Sequence, residues 1–353
     1  MKRSFAQLLV VIIFLVPFFI IYSHHLAIAQ NTTVNPHSPQ PTFVANAEKS
    51  QFPFVWMFLP ALQHRSYPGS NLTIVKILRP GRNYNQYLTY YYSDKLKIYA
   101  LLTIPQQATP SGGFPVILFN HGYIKPQNYN TQTSYARYVN ALASQGYIVF
   151  KPDYRGNGNS QGSPAQSFIS PQYIIDDLNA LSSIERFKLA NPDKIGIWAH
   201  SMGGNITLYD LVIAKNIKAA VIWSGLVGSY SETLKWWEKS NKHNIKQKSY
   251  INTVKVVNNI IKFIGTPESN PFMWQFIDPS ADIKDITAPV QLDAGLDDHT
   301  LPVKFSEDFA TRLRNAHKSV QLNLYPREDH SISGPHFKVA MQNSINFFNK
   351  YLK

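Results

Sequence analysis

The sequence contains no cysteine among its 353 residues. Disulfide bridges and thiolate chemistry are therefore excluded, and an apolar core must stabilise the fold. Acidic residues are also few, because 21 Asp and Glu stand against 34 Lys and Arg, a formal net charge of +13 at pH 7. Basic runs and nucleic-acid-reading motifs are lacking, so we expect no nucleic acid partner. An anionic cell-surface polymer would suit the charge, and the oligomeric state stays open.

Long apolar runs are lacking too, apart from one near the N-terminus. The stretch LLVVIIFLVPFFIIY has 15 residues, fewer than the roughly 20 that a membrane span requires, and Pro17 interrupts it. A basic MKRSFAQ precedes it and a small-residue LAIAQ follows it. This order is typical of a secretory signal peptide over residues 1–29, cleaved after Ala29, which predicts a secreted protein. The alternative is an uncleaved segment that anchors the protein to a membrane.

The next part of the chain, residues 30–68, is rich in Asn, Thr, Pro and Gln and has no apolar period over most of its length. We interpret it as a flexible N-terminal segment. Its apolar part, FPFVWMFLPAL, is expected to pack against the folded domain. That domain is predicted to comprise residues 69–353.

The domain begins with β-branched and aromatic runs such as NLTIVKIL, NQYLTYYYS and KLKIYALLTIP, which favour antiparallel strands. Continuous apolar strands and helices then alternate, from FPVILFNHG to the closing helix HFKVAMQNSINFFNKYL. Such alternation predicts an α/β fold with a mostly parallel sheet covered by helices on both faces. In these sheets the chemistry collects at the carboxyl ends of the strands.

An insertion at residues 226–281 interrupts the alternation. It has a helical pattern, and the stretch from SETLKWW to KFIG carries seven lysines against two glutamates. One interpretation is a solvated helical excursion with a buried aromatic stripe. The other is a lid over the functional site, with Trp236, Trp237 and Trp274 available for an apolar pocket.

Ser201 lies in AHSMGG, between a predicted strand and a predicted helix. A sharp strand-to-helix turn exposes such a serine at the sheet edge and needs small residues two positions before and after it. Here these residues are Ala199 and Gly203, a variant of the usual G-x-S-x-G. The helix N-terminus would place the backbone N–H of Met202 beside a developing oxyanion, and the N–H of Tyr123, in HGY, is the expected second donor.

A serine nucleophile needs a base and an orienting carboxylate. His330 directly follows a predicted strand in LYPREDHS, and GLDDHT offers Asp297 and Asp298 after another. The chain order of serine, aspartate and histidine matches that of a hydrolase triad. His121, in the HGY stretch, is interpreted as a scaffold residue rather than a second base.

These segments resemble the α/β-hydrolases, particularly the catalytic domain of the prolyl oligopeptidase family. The resemblance runs from about residue 85 to the end and rests on FNHGY, DYRGNGNSQG, DKIGIWAHSMGG, GLDDHTLPV and YPREDHS. It implies Ser201, Asp298 and His330 as the triad, because the family's G-x-x-D-x-x-V-P pattern selects Asp298. Two departures are Ala199 and the short stretch before the first strands, which cannot build the propeller that such peptidases often carry.

Two other motifs are rejected. The glycines of GNGNSQG lie at 156, 158 and 162, which is one residue too far for a dinucleotide-binding G-x-G-x-x-G. The stretch DDH at 297–299 lacks a second cluster to complete a metal site. We therefore expect neither a cofactor nor a metal.

Together these patterns predict a secreted serine hydrolase. The first hypothesis is a serine peptidase of prolyl oligopeptidase type that cleaves short peptides through an acyl-enzyme. The alternative is a carboxylesterase of the same fold, and a minor alternative is a non-catalytic binding protein that keeps the hydrolase fold.

Overall fold

The computed structural model describes residues 55–240 and 248–353. The predicted signal peptide and residues 30–54 of the predicted flexible segment lie outside the described residues. One compact unit extends from Ser50 to Lys353. Its nine strands are β1 (Thr73–Leu78), β2 (Tyr84–Ser93), β3 (Leu96–Pro105), β4 (Phe114–Asn120), β5 (Ile148–Pro152), β6 (Ala190–His200), β7 (Ala219–Trp223), β8 (Val290–Gly295) and β9 (Val320–Tyr325).

The nine strands form a single sheet in the order β1-β2-β3-β5-β4-β6-β7-β8-β9. The pairs from β1 to β5 are antiparallel, and those from β5 across to β9 are parallel. Every residue of β4, β5, β7 and β8 is buried, as expected for strands covered on both faces. Burial includes Lys151 of β5 and Gln291 and Asp293 of β8. The predicted mostly parallel sheet is confirmed.

The helices outside the insertion lie on the two faces of this sheet. They are α1 (Leu59–His64), α2 (Ala136–Ala143), α3 (Gln172–Glu185), α4 (Met202–Ile213), α8 (Val303–Asn315) and α9 (Phe337–Leu352). Alternate residues of β4 enter two apolar layers: Leu118 packs with α3, α4 and α8, whereas Ile117 packs with α2 and α9. The period of two in a strand therefore builds both layers.

The insertion after β7 folds into α5 (Tyr230–Ser240), α6 (Lys248–Ile264) and α7 (Pro271–Gln275). Because it follows a parallel strand, it begins at the carboxyl edge of the sheet. The expectation that its tryptophans line a pocket is wrong for Trp274, which is buried and donates from Nε1 to the Gly265 carbonyl at 3.0 Å. Trp236 packs edge-on against Phe305, and Trp237 stacks on Tyr250. Trp237 and Trp274 thus pack within the insertion, whereas Trp236 packs the insertion against α8.

The apolar stretch before β1 is folded where the structure describes it. In α1, Leu59 and Leu62 are fully buried and belong to the same apolar layer as α3 and α4. The Leu59 amide donates to the Phe276 carbonyl, directly after α7, at 2.7 Å. The sequence expectation that this stretch packs against the domain therefore holds for α1. Within the described ranges, no helix has both the length and the apolar character to cross a membrane.

Candidate active site

Ser201 occupies the turn between β6 and α4. Its backbone has φ 55° and ψ −122°, a left-handed conformation that is strained for a residue with a side chain. Its amide donates to the Trp223 carbonyl at the end of β7 at 3.1 Å, and its carbonyl accepts the amide of Leu226, just after β7, at 2.9 Å, so both backbone groups of Ser201 are held. The Ser201 hydroxyl makes no capping bond to α4. The turn therefore places a half-buried hydroxyl, which is not used to cap the helix, at the carboxyl edge of the sheet.

The small residues around Ser201 are required by close packing. A Cβ at Gly203 would lie 1.9 Å from the Asn120 carbonyl oxygen, and one at Gly122 would lie 2.9 Å from the Ser201 Cβ. Ala199, at the position where the usual motif has glycine, is fully buried in β6. The methyl group is accommodated, so this departure leaves the strained turn in place.

The structure brings His330 and Asp298 together. His330 Nδ1 lies 2.8 Å from Asp298 Oδ2, and the two side chains are 17 % and 3 % exposed. A carboxylate only accepts hydrogen bonds, so His330 Nδ1 carries a proton, and in the neutral ring Nε2 holds the lone pair. The pair can therefore act as an oriented base.

Both oxygens of the Asp298 carboxylate accept hydrogen bonds. Its other oxygen, Oδ1, accepts the backbone N–H groups of Thr300 at 2.7 Å and Leu301 at 2.9 Å. Burial by itself would raise its pKa, but the hydrogen bond from His330 and these two amides outweigh burial and lower the pKa. Asp297 is exposed, and its amide donates to the Glu328 carbonyl at 3.0 Å, whereas the carboxylate that meets His330 is that of Asp298.

Two backbone amides stand where the sequence places the oxyanion donors. In the described part of the chain, the N–H groups of Tyr123 and Met202 donate to no protein acceptor. Met202 is the first residue of α4, so its amide belongs to the positive end of the helix dipole. Tyr123 follows Gly122, whose Cα packs against Ser201. The Tyr123 ring is 55 % exposed.

His121 supports the loop that carries these residues. It is 1 % exposed, and its ring lies against the rings of Tyr129 and Tyr154 at centroid distances of 4.7 and 4.5 Å. Burial, followed by repulsion from Lys151, lowers its pKa to about 3, so the ring is neutral. This environment fits the scaffold role expected from the sequence.

Sequence reasoning missed the residues that shape the His330 loop. Glu328 is fully buried, and its carboxylate accepts the backbone N–H groups of Gly334 at 2.8 Å and His336 at 2.6 Å. These bonds close the loop around His330. Glu328 lies two residues before the histidine, but no motif in the sequence distinguishes it from a surface acid.

The glycines of the rejected dinucleotide motif shape a loop. Gly156, Gly158 and Gly162 all adopt positive φ angles in a loop after β5, and Gly158 packs against the Asp153 carboxylate. Across residues 55–240 and 248–353, no group of three His, Asp or Glu side chains could hold a metal ion.

Comparison with known proteins places this site in a family. The model of the family described as serine aminopeptidase, S33, matches residues 115–334, well over half of the chain. The chain belongs to this serine aminopeptidase family. The match includes Ser201, Asp298 and His330, and the predicted α/β-hydrolase resemblance is confirmed.

One sequence relative and two solved structures show what this S33 family member is similar to. An uncharacterized peptidase, YtmA of Bacillus subtilis, is 25% identical over 252 residues, covering 71% of this chain and 88% of that protein. The acylaminoacyl peptidase of Pyrococcus horikoshii superposes with a TM-score of 0.58 at 20% identity, over 77% of this chain and 42% of that one. The acetyl xylan esterase of Paenibacillus sp. R4 gives 0.58 at 16% identity, over 91% and 97%. The two structural likenesses show the fold, and the family assignment makes the chain a serine hydrolase, a peptidase or an esterase.

Proposed function

We propose that Ser201, His330 and Asp298 form the catalytic triad of a hydrolase that works through an acyl-enzyme. One observation carries the proposal: a strained serine at a strand-to-helix turn coexists with a His330–Asp298 pair that leaves Nε2 free to accept a proton. The strained turn by itself, or the histidine–aspartate pair by itself, could serve only to stabilise the fold. Their occurrence together, after the carboxyl ends of the parallel strands β6, β8 and β9 of one sheet, supports the triad.

In the proposed reaction, His330 Nε2 removes the Ser201 hydroxyl proton as Oγ attacks the substrate carbonyl. Asp298 stabilises the imidazolium and keeps the Nδ1 proton in place. The N–H groups of Tyr123 and Met202 stabilise the oxyanion, and His330 then protonates the leaving amine or alcohol. Water, activated by the same histidine, releases the acyl group in the second half of the cycle.

As substrates we propose short peptides, as in the prolyl oligopeptidase family that the sequence resembles. The relatives support a carbonyl substrate, since they include a peptidase of Bacillus subtilis and an acylaminoacyl peptidase of Pyrococcus horikoshii. Around the proposed triad, Tyr123 and Leu296 expose apolar side chains, which suit uncharged groups beside the scissile bond.

An acyl-ester hydrolase is the second candidate. It is favoured by the acetyl xylan esterase, which this chain matches over 97% of its length. The triad and oxyanion donors serve both reactions, so the leaving group decides between them. An alkoxide leaves more easily than an amine, so esters are expected to turn over faster in either case.

A fluorophosphonate probe tests the reaction class directly. The full-length protein should be labelled at Ser201, whereas a non-catalytic binding protein would stay unlabelled. The values of kcat/KM on matched aminoacyl arylamides and acyl esters then separate the two substrate classes. An amide rate at background beside a robust ester rate would contradict the peptidase proposal.

Export remains part of the proposal. The apolar run and the LAIAQ motif support cleavage of a signal peptide and a secreted protein. Loss of residues 1–29 removes Lys2 and Arg3 and no acid, which changes the net charge from +13 to 13 − 2 = +11. That charge supports contact with an anionic cell surface.

A further inference from the structure

His200, the residue before Ser201, makes hydrogen bonds on both sides of its ring. Its Nδ1 lies 2.7 Å from the Tyr135 hydroxyl, and its Nε2 lies 3.0 Å from the carbonyl oxygen of His330. The Tyr135 hydroxyl in turn lies 2.9 Å from the Gly122 amide. One chain of three hydrogen bonds thus joins the loop of Tyr123, the strained turn and the loop of His330.

The direction of every bond in this chain follows from donor chemistry. The Gly122 amide can only donate, so the Tyr135 oxygen accepts it and has one proton to give. Where the His200 ring is neutral and its one proton lies on Nε2, Nδ1 is unprotonated and accepts the Tyr135 proton. The His330 carbonyl can only accept, so His200 Nε2 must carry the ring's single proton. A neutral Nε2–H tautomer satisfies all three contacts without conflict.

We propose that Tyr135 and His200 are positioning residues that hold the oxyanion loop and the base loop at a fixed distance from Ser201. This inference rests on the proposed triad. Neither side chain takes part in proton transfer. They act through the backbone of Gly122, next to the Tyr123 amide, and through the backbone of His330, whose side chain is the base.

The surroundings of His200 support this assignment. The residue is 5 % exposed, and burial, with repulsion from His330 adding to it, lowers its pKa to about 4. A neutral ring is the form that the bond pattern requires. The His200 and His330 rings are themselves in contact, with centroids 4.7 Å apart.

Tyr135 also carries backbone strain. It precedes α2 with φ 64° and ψ 18°, a left-handed conformation that bulky residues rarely adopt. Such strain persists where neighbouring contacts determine the conformation. The next turn of α2 contacts the same base loop, since Tyr138 donates to the Ser331 carbonyl at 2.8 Å and Arg137 to the Ser333 carbonyl at 3.0 Å. The start of α2 therefore makes hydrogen bonds to both the loop of Tyr123 and the loop of His330.

Tyr135→Phe removes one hydroxyl and keeps the ring. It leaves the Gly122 amide and His200 Nδ1 without partners, so the oxyanion and base loops lose their common tie. We expect kcat to fall roughly 10- to 100-fold, less than the loss of an oxyanion donor itself, with KM changed less than threefold. Tyr84→Phe is the matched control, because the Tyr84 hydroxyl donates to Asn140 on the same helix but touches neither loop.

The protonation state of His200 is measured independently of activity, by ¹⁵N NMR of histidine-labelled full-length protein at pH 7. Wild type should show an Nε2–H tautomer at His200. Tyr135→Phe should keep that tautomer, because the His330 carbonyl still accepts the Nε2 proton, but should shift the Nδ1 resonance, because Nδ1 loses its hydrogen bond from the tyrosine hydroxyl. An Nδ1–H or charged His200 in wild type would overturn the inference, as would a Tyr135→Phe variant with kcat equal to that of Tyr84→Phe. Failure of the fluorophosphonate probe at Ser201 would instead contradict the triad while the His200 signal stayed interpretable.

Discussion

Replacement of Asp298 by asparagine should disable the base while leaving the loop intact. Asp298 Oδ1 accepts two backbone N–H groups, those of Thr300 and Leu301, and Oδ2 accepts the Nδ1 proton of His330. An asparagine keeps the two loop bonds only if its carbonyl oxygen takes the place of Oδ1. Its NH₂ group then faces His330, and because that group only donates, the imidazole must turn a lone pair toward it. The ring proton moves to Nε2, the nitrogen that must accept the Ser201 proton.

The expected loss is about 10⁴-fold in kcat, the size seen when a triad aspartate becomes an asparagine. At 1.36 kcal/mol per factor of ten, this corresponds to roughly 5.4 kcal/mol of transition-state stabilisation. The loss should exceed that for the positioning residue Tyr135 because the Asp298 change removes the base itself rather than its alignment.

The assay is kcat on an activated acyl ester, with unfolding temperature and circular dichroism as checks on the fold. Asp297→Asn is the matched control, since Asp297 is exposed and its side chain is not paired with His330. We expect the control to retain kcat within about threefold, as surface substitutions away from special features usually do little. A loss below tenfold for Asp298→Asn, or a larger loss for Asp297→Asn, would refute the assignment.

Three further predictions follow. Ser201→Ala should fold normally, lose fluorophosphonate labelling and lose about 10⁴- to 10⁶-fold in kcat. Labelling that persists would show that another residue is the nucleophile. N-terminal sequencing of exported protein should begin at Gln30, whereas full-length chain in the membrane fraction would favour the anchor. Burial raises the pKa of Asp177 to about 7 and that of its neighbour Asp210 well above the usual value. Folding therefore takes up protons, and the free energy of unfolding should fall as pH rises from about 4 toward 7. Asp177→Asn should flatten that fall, and an unchanged pH dependence of the free energy of unfolding, measured by chemical denaturation, would contradict the raised pKa of Asp177.

Much of the architecture follows from local pattern. Strands β4 and β7 are almost wholly apolar, whereas Gln291 and Asp293 interrupt the apolar residues of β8, and all three stretches appear as buried strands. Short-range signals sufficed because the period of side-chain burial is set by backbone geometry. The pocket expected at Trp274 is wrong because composition alone does not distinguish a ring that lines a pocket from one that packs internally.

The sequence by itself determined the elements, the nucleophile candidate and the histidine that would serve it, because strand ends in a parallel sheet meet at one edge. Asp298 and Asp297 remained equivalent by position, and only a family pattern separated them. The tertiary structure decided that His330 meets Asp298, and it brought Tyr135 to His200 and Glu328 to the base loop. These contacts join residues through hydrogen bonds a few ångströms long, set by loop conformation and by how helices pack on the sheet. No local periodicity encodes such distances, so the supporting residues of the site were visible only in the fold.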